Sequence, residues 1–107
     1  MNEETRLISN AFKLFMMEAP EFAQAWGALV RELAKASALD EKTRELAYLA
    51  VLASLNRVSG IPFHVASLKD KGVTREEVIS AILVGLPAAG HIVTQALPAA
   101  IEAYDSE

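Results

Sequence analysis

The chain has 107 residues, enough for one domain built around a single core, and we expect residues 1–107 to form that domain. Its 10 Lys and Arg residues against 14 Asp and Glu residues give a formal net charge of −4, and no basic cluster is present, which disfavours nucleic-acid binding. The chain contains no cysteine, which excludes disulfides, thiolate metal sites and thiol catalysis.

The apolar content is the most unusual feature of the composition. Hydrophobic residues make up 52 % of the chain, against a norm of about 45–50 % counted with glycine. Glu45 interrupts one candidate membrane span and residues 85–91 interrupt the other. We therefore expect no membrane partner, and we expect the surplus apolar surface to contact other copies of the chain. The acidic residues 1–4 do not resemble a signal peptide, which predicts a cytoplasmic location.

The first half of the chain predicts three helices. Apolar residues at helical spacing indicate one at about residues 4–17 and a second at about 20–37, where proline suits the first turn. Asp40 is a suitable N-cap for a third, at about 41–57. Apolar side chains cover most of the circumference of this third helix, so we expect it to be buried on most sides.

The second half begins after a turn that contains glycine and proline. A fourth helix is predicted at about residues 62–71, with Gly72 just past its end. Thr74 and Glu77 form a capping-box pattern that predicts the start of a fifth helix, at about 75–86.

A sixth helical segment is predicted at about residues 88–104, with a kink at Pro98 because proline disrupts a helix interior. No strand pattern is present. The prediction is therefore an all-α fold of about six helices.

Two residues are candidates for proton transfer. Glu45 lies among apolar neighbours, and if it faces inward, burial should raise its pKa and make it a usable proton carrier. The alternative is an exposed glutamate paired with Arg44 or another cation. His64 lies in the first turn of the fourth helix, and imidazole is the side chain that exchanges protons most readily near neutral pH. Its alternative is a buried histidine that bonds a carbonyl group.

Three further polar residues are candidates for binding a substrate. Arg57 suits a substrate carboxylate, although it equally suits a helix end where its stem lies along apolar surface. Ser59 flanks the turn before His64, and His91 either lines the same cavity or lies at a subunit interface. The separations between Glu45, His64 and His91 are 19 and 27 residues, which match no local metal-ligand motif, so we expect no metal site.

Segments 42–51 and 72–78, with His64 between them, resemble the carboxymuconolactone decarboxylase and alkylhydroperoxidase D-like (AhpD-like) family. The resemblance covers about residues 39–86. It implies an AhpD-like helical domain that forms an obligate homo-oligomer, often a trimer or a hexamer. In the peroxidase branch of that family a glutamate precedes the motif histidine by 19 residues, and Glu45 and His64 keep this spacing.

The chain departs from the peroxidase branch at one motif. That branch has a Cys-x-x-Cys ending four residues before the histidine, and the two cysteine positions are Arg57 and Gly60 here. Thiol peroxidase activity is therefore not expected. The decarboxylase branch also lacks the dithiol and keeps a histidine at this place, which implies an acid/base enzyme that acts on a small carboxylated lactone without a cofactor. The implied site consists of Glu45 and His64 as catalytic residues and of Arg57, Ser59 and His91 as substrate-binding residues.

Whether the chain is an enzyme is left open by the sequence, because two other functions fit the same residues. One is a non-catalytic binding module whose cavity holds a small acidic or apolar ligand. The other is a structural helical oligomer in which the polar residues form hydrogen bonds between subunits. All three functions share self-association.

Overall fold

The computed structural model describes residues 8–106, which form helices joined by short turns, with no strand in that range. The α-helices are α1 (Asn10–Glu18), α2 (Pro20–Ala36), α3 (Glu41–Ser54), α4 (Ile61–Asp70), α5 (Arg75–Leu83), α6 (Leu86–Ala89) and α7 (Leu97–Asp105). Two 3-10 helices, Val58–Gly60 and Gly90–Ala96, precede α4 and α7. The all-α prediction is confirmed. Residues 4–7 of the first predicted helix lie outside the described residues.

The helix starts follow from capping residues in the sequence. At the start of α3, Asp40 Oδ1 accepts a hydrogen bond of 2.8 Å from the backbone N–H of Thr43. At the start of α5, Thr74 Oγ1 accepts from the backbone N–H of Glu77, and Glu77 Oε1 accepts from the backbone N–H of Thr74. This is the predicted capping box, and it fixes the chain direction after α4.

The predicted sixth segment is corrected by the structure. It is divided into α6, the second 3-10 helix and α7, because Gly90 has φ 82° and ψ −164°, a conformation that is essentially restricted to glycine. Pro98 lies in the first turn of α7, where its missing N–H needs no helical partner, so the predicted kink at Pro98 does not occur.

The hydrophobic core lies between α3, α4, α5, the second 3-10 helix and α7. Its fully buried large side chains are Leu49, Ile61, Val65, Leu68, Val73, Val78, Ile82 and Val93. Neither α1 nor α2 contributes a buried residue.

The predicted burial of α3 on most sides is wrong for the isolated chain. Leu49, Leu52 and Ala53 are buried. Val51 and Leu55, on the other side of the helix, are 51 % and 61 % exposed. The hydrophobic surface of α3 therefore continues past the core.

The helical stretch Arg75–Asp105 is long and apolar enough to cross a membrane, by length and composition alone. In the fold it is not one straight helix, because it comprises α5, α6, the second 3-10 helix and α7. The α5 part packs against α3 and the α7 part packs against α4. Its apolar side chains therefore supply part of the core of the protein.

Candidate functional site

The centre of the candidate site is the carboxylate of Glu45, which lies on α3 and faces α4. Its Oε2 is 2.9 Å from Nδ1 of His64. Its Oε1 accepts hydrogen bonds from Ser67 Oγ at 2.9 Å and from Lys71 Nζ at 2.6 Å. The Glu45 side chain is only 12 % exposed. Both carboxylate oxygens are therefore engaged by side chains of α4 and of the residue that follows it.

The helical periodicity explains why these residues meet. His64, Ser67 and Lys71 follow one another at spacings of three and four residues, which places them on one face of α4. Glu41 and Glu45 are four residues apart on α3, and Lys71 Nζ also lies 3.2 Å from Glu41 Oε1. The sequence reasoning missed Ser67 and Lys71, although their spacing from His64 was a usable signal.

The pKa of Glu45 is lowered, whereas its apolar neighbours in the sequence predicted a raised pKa. Burial by itself raises it, but the hydrogen bonds from His64, Lys71 and Ser67 outweigh burial and lower the pKa from 4.5 to about 2. Glu45 is therefore ionised near neutral pH and can only accept hydrogen bonds. The expected rise in the pKa of Glu45 is therefore not found, and its catalytic role stays a prediction.

The tautomer of His64 follows from the charge of Glu45. A carboxylate that only accepts requires a proton on the facing ring nitrogen, so His64 Nδ1–H donates to Glu45. The other ring nitrogen, Nε2, has no hydrogen-bond partner within residues 8–106. In the neutral ring Nε2 carries the lone pair, so it is the atom that can accept a proton.

Two aromatic side chains hold the His64 ring in place. The ring of Tyr48 lies edge-on to it with a centroid distance of 4.9 Å, and the ring of Phe63 does so at 5.4 Å. Edge-to-face contacts of this kind are favourable beyond their buried area. Together with the Glu45 hydrogen bond they fix both the position and the orientation of the imidazole.

Among the side chains that surround the Glu45 carboxylate, Lys71 does not act as a free base. Burial alone lowers its pKa, but its hydrogen bonds to Glu45 and Glu41 outweigh burial and raise the pKa above the ordinary value. The ammonium group is therefore charged, and it neutralises part of the negative charge of two carboxylates.

The cluster lines a cavity of about 760 Å³. Its volume lies in the range of about 300–1,000 Å³ that is usual for small-molecule sites. The polar lining residues include Arg44, Glu45, Ser59, His64, Ser67 and Lys71. A second, apolar part of the lining consists largely of Phe12, Trp26, Leu29, Val30 and Leu33 from α1 and α2.

Comparison with known proteins agrees with this architecture. The family model described as "Carboxymuconolactone decarboxylase family" matches residues 20–102. The chain belongs to this family. No curated protein matches the chain.

A solved structure shares the fold of this carboxymuconolactone decarboxylase family member. It is the crystal structure of an apo carboxymuconolactone decarboxylase family protein from Legionella pneumophila, with a TM-score of 0.77 and 24 % sequence identity. The match covers 98 % of this chain and 96 % of that chain. At this identity the likeness concerns the fold.

The carboxymuconolactone decarboxylase family fold brings some of the predicted site residues together and leaves others apart. Glu45 and His64 are in contact, and Ser59 lines the same cavity. Arg57 and His91 are exposed and are not among the described residues that line it. Their substrate-binding roles stay predictions.

Within residues 8–106, no group of three or more His, Asp or Glu side chains is arranged to hold a metal ion. What the arrangement offers this family member is acid/base chemistry at one histidine whose orientation is fixed.

Proposed function

We propose that the cavity is an acid/base active site for a small carboxylated substrate, of the decarboxylase or lactone type. His64 is the proton carrier and Glu45 is its positioning residue. The observation that carries the proposal is the 2.9 Å contact between His64 Nδ1 and the ionised Glu45, in the wall of a cavity of about 760 Å³. Family membership supports the proposal, because it is consistent with chemistry on a carboxylated lactone.

Loss of carbon dioxide needs one proton per turnover. When the bond between the carboxylate carbon and the substrate breaks, its electron pair stays on the substrate carbon, and that carbon takes up a proton. His64 in its protonated form can donate this proton from Nε2 while Nδ1–H stays bonded to Glu45. Solvent then returns a proton to Nε2, since the His64 side chain is 28 % exposed.

Glu45 contributes by its charge and its position. An ionised carboxylate beside Nδ1 holds the imidazole in one tautomer and one orientation. Ser67 and Lys71 in turn hold the carboxylate, because both donate to its Oε1. Thiol peroxidase chemistry is not part of the proposal, since the chain has no cysteine.

The test is turnover of a carboxylated muconolactone, followed by release of carbon dioxide. We expect His64→Ala to lower kcat about 100-fold or more, because proton transfer by a positioned side chain contributes about 10²–10⁴ in rate. We expect Glu45→Gln to lower kcat as well and to change the pH profile of kcat, because a neutral amide replaces the carboxylate that bonds Nδ1 of His64. Glu102→Gln, an exposed position on α7, is the matched control and should behave as wild type.

Equal turnover in wild type, His64→Ala and Glu45→Gln would contradict the proposal. In that case a rise in melting temperature with a ligand, without product, would support the non-catalytic binding protein instead.

A further inference from the structure

The chemical class of ligand can be narrowed from the two walls of the cavity. We propose that the site takes an amphipathic carboxylic acid, whose carboxylate binds Arg44 and whose apolar portion packs against the wall formed by α1 and α2. This inference rests on the proposed function only in sharing its cavity. It assigns Arg44 as a binding residue and adds an apolar tail to the substrate.

Among the charged side chains that line the cavity, the guanidinium of Arg44 is the group that we expect to bind the carboxylate of a ligand. Among residues 8–106, the charged side chains that line the cavity are two carboxylates, Glu41 and Glu45, and two cations, Arg44 and Lys71. Lys71 Nζ lies 2.6 Å from one carboxylate and 3.2 Å from the other. Within residues 8–106, the guanidinium of Arg44 makes neither an ion pair nor a hydrogen bond. A planar guanidinium is well suited to bind a carboxylate through two parallel hydrogen bonds.

The apolar wall is partly exposed to water in the isolated chain. Phe12, Trp26 and Leu33 face the cavity and are 38 %, 47 % and 60 % exposed. Leu29 and Val30 extend the same surface along α2. Burying such area contributes about 25 cal/mol per Å² of apolar surface removed from water, so a ligand with an apolar tail gains affinity there.

The two walls are placed so that one molecule can contact both. Arg44, Glu45 and His64 all line the cavity, so a carboxylate held by Arg44 lies in the same cavity as the contact between His64 and Glu45. The apolar residues of the α1–α2 wall line the same cavity. A ligand with a charged head and an apolar tail matches this division, whereas a ligand that is polar throughout leaves the apolar wall in water.

The experiment uses Trp26, the only tryptophan of the chain, as the reporter. The protein is titrated with butanoic, hexanoic, octanoic and decanoic acids, and with the primary alcohols of the same lengths, below their micelle concentrations. We expect each acid to shift the Trp26 emission to shorter wavelength. We expect Kd to fall about fourfold per added methylene, because burial of one methylene group contributes about 0.8 kcal/mol to the binding free energy. Each alcohol should bind about tenfold or more weakly than its acid.

Variants of Arg44 distinguish the contribution of the ligand's carboxylate to binding from that of its apolar tail. Arg44→Gln should lose the preference for acid over alcohol and keep the dependence on tail length. Arg44→Lys should retain part of the preference, and circular dichroism shows that each variant is folded. Arg31→Gln removes an exposed arginine of α2 that does not line the cavity, and it should leave both properties unchanged.

Three outcomes would overturn the inference. A Kd that does not depend on tail length removes the apolar subsite, and an unchanged acid preference in Arg44→Gln removes the proposed head-group contact. A Trp26 emission that responds to protein concentration but to no acid shows that a second copy of the chain covers the apolar wall. If the acids fail to bind while a lactone is turned over in a His64-dependent way, this inference fails and the proposed function stands. If the acids bind and no lactone is turned over, the proposed function fails and this inference stands.

Discussion

The carboxylate of Glu45 is largely enclosed and yet ionised. Hydrogen bonds from His64, Ser67 and Lys71 stabilise the charged form, and they outweigh the effect of burial on its pKa. A carboxyl group whose pKa is lower in the folded protein stabilises the fold above its unfolded pKa, and this contribution is lost as the pH falls through the folded pKa. The relevant window for Glu45 runs from 4.5 down to about 2.

We therefore expect the free energy of unfolding to fall as the pH decreases through this window, and to fall less steeply in Glu45→Gln. Asp40, Glu77 and Asp105 also have lowered pKa values and contribute in the same direction, so the difference between wild type and variant isolates Glu45. Urea unfolding at a series of pH values measures this difference. Parallel curves for wild type and Glu45→Gln would show that the pKa of Glu45 is the same in the folded and the unfolded protein, which would contradict the prediction. Glu102→Gln serves as the control.

The sequence predicted the meeting of Glu45 and His64 because the two residues keep the spacing of a known family motif. It did not predict the pKa direction, because burial can be inferred from the apolar neighbours of Glu45, whereas the donors Ser67 and Lys71 come from another segment. Arg44 was considered only as a partner for its neighbour Glu45. Its place in the cavity depends on how α3 packs against α4 and on where α1 and α2 lie, which periodicity does not specify.

At the scale of the elements, the starts of α2 to α5 could be read from local chemistry. Asp40 and Thr74 are side-chain caps, and their hydrogen bonds involve residues only three positions away. The segment after α5 could not be read in the same way. The apolar pattern of that segment continues through Gly90. The backbone conformation of Gly90, which divides the segment, cannot be read from the spacing of apolar residues.

Gly90 gives a direct test of that division. We expect Gly90→Ala to lower the free energy of unfolding by about 1–3 kcal/mol, because a residue with a Cβ is strained at φ 82° and ψ −164°. Gly27→Ala, within α2, should instead raise it by about 0.5–1 kcal/mol, because alanine favours the helix. An added Cβ there contacts only the flexible end of Arg31, at 3.3 Å.

Chemical denaturation of both variants measures the expected loss of stability in Gly90→Ala and the expected gain in Gly27→Ala. If Gly90→Ala were as stable as wild type, the backbone at the junction of α6 and the second 3-10 helix would not require glycine.

At the scale of the whole molecule, the apolar surface that the core does not use is concentrated on the first three helices. Outside the cavity, the most exposed large apolar side chains of this part of the chain are Phe22, Met17, Leu55 and Leu14. Since α1 and α2 bury no residue, the isolated chain gains little from packing them against its own core. We infer that other copies of the chain cover this surface, in line with the homo-oligomer that the sequence predicts.

Phe22 is the most suitable residue for testing self-association, because it is 73 % exposed and does not line the cavity. We expect wild type to scatter light as an oligomer at micromolar concentration, with a trimer or hexamer as the predicted mass. Phe22→Glu should weaken association about tenfold or more, since burial of a phenylalanine contributes about 1.5–3 kcal/mol. Gln24→Glu introduces the same charge at an exposed position of the same helix and is the control. A monomeric wild-type protein would contradict self-association.

Two whole-molecule expectations concern the cell and the chain rather than the site. The cytoplasmic location inferred from the acidic residues 1–4 stays a prediction, and the family fold is consistent with it. The assignment of residues 1–107 to one domain likewise stays a prediction, and the family match covers residues 20–102 of it.

The aromatic contacts of His64 have a spectroscopic consequence. Circulating electrons in the Tyr48 and Phe63 rings, whose centroids lie 4.9 Å and 5.4 Å from that of the imidazole, produce local magnetic fields at its carbon-bound protons. The chain has only one other histidine, His91, which is exposed. The two imidazoles therefore give separate proton resonances, and the displaced one belongs to His64. The protonation of the proposed proton carrier can be followed by magnetic resonance in the unlabelled, unmodified protein while substrate is added.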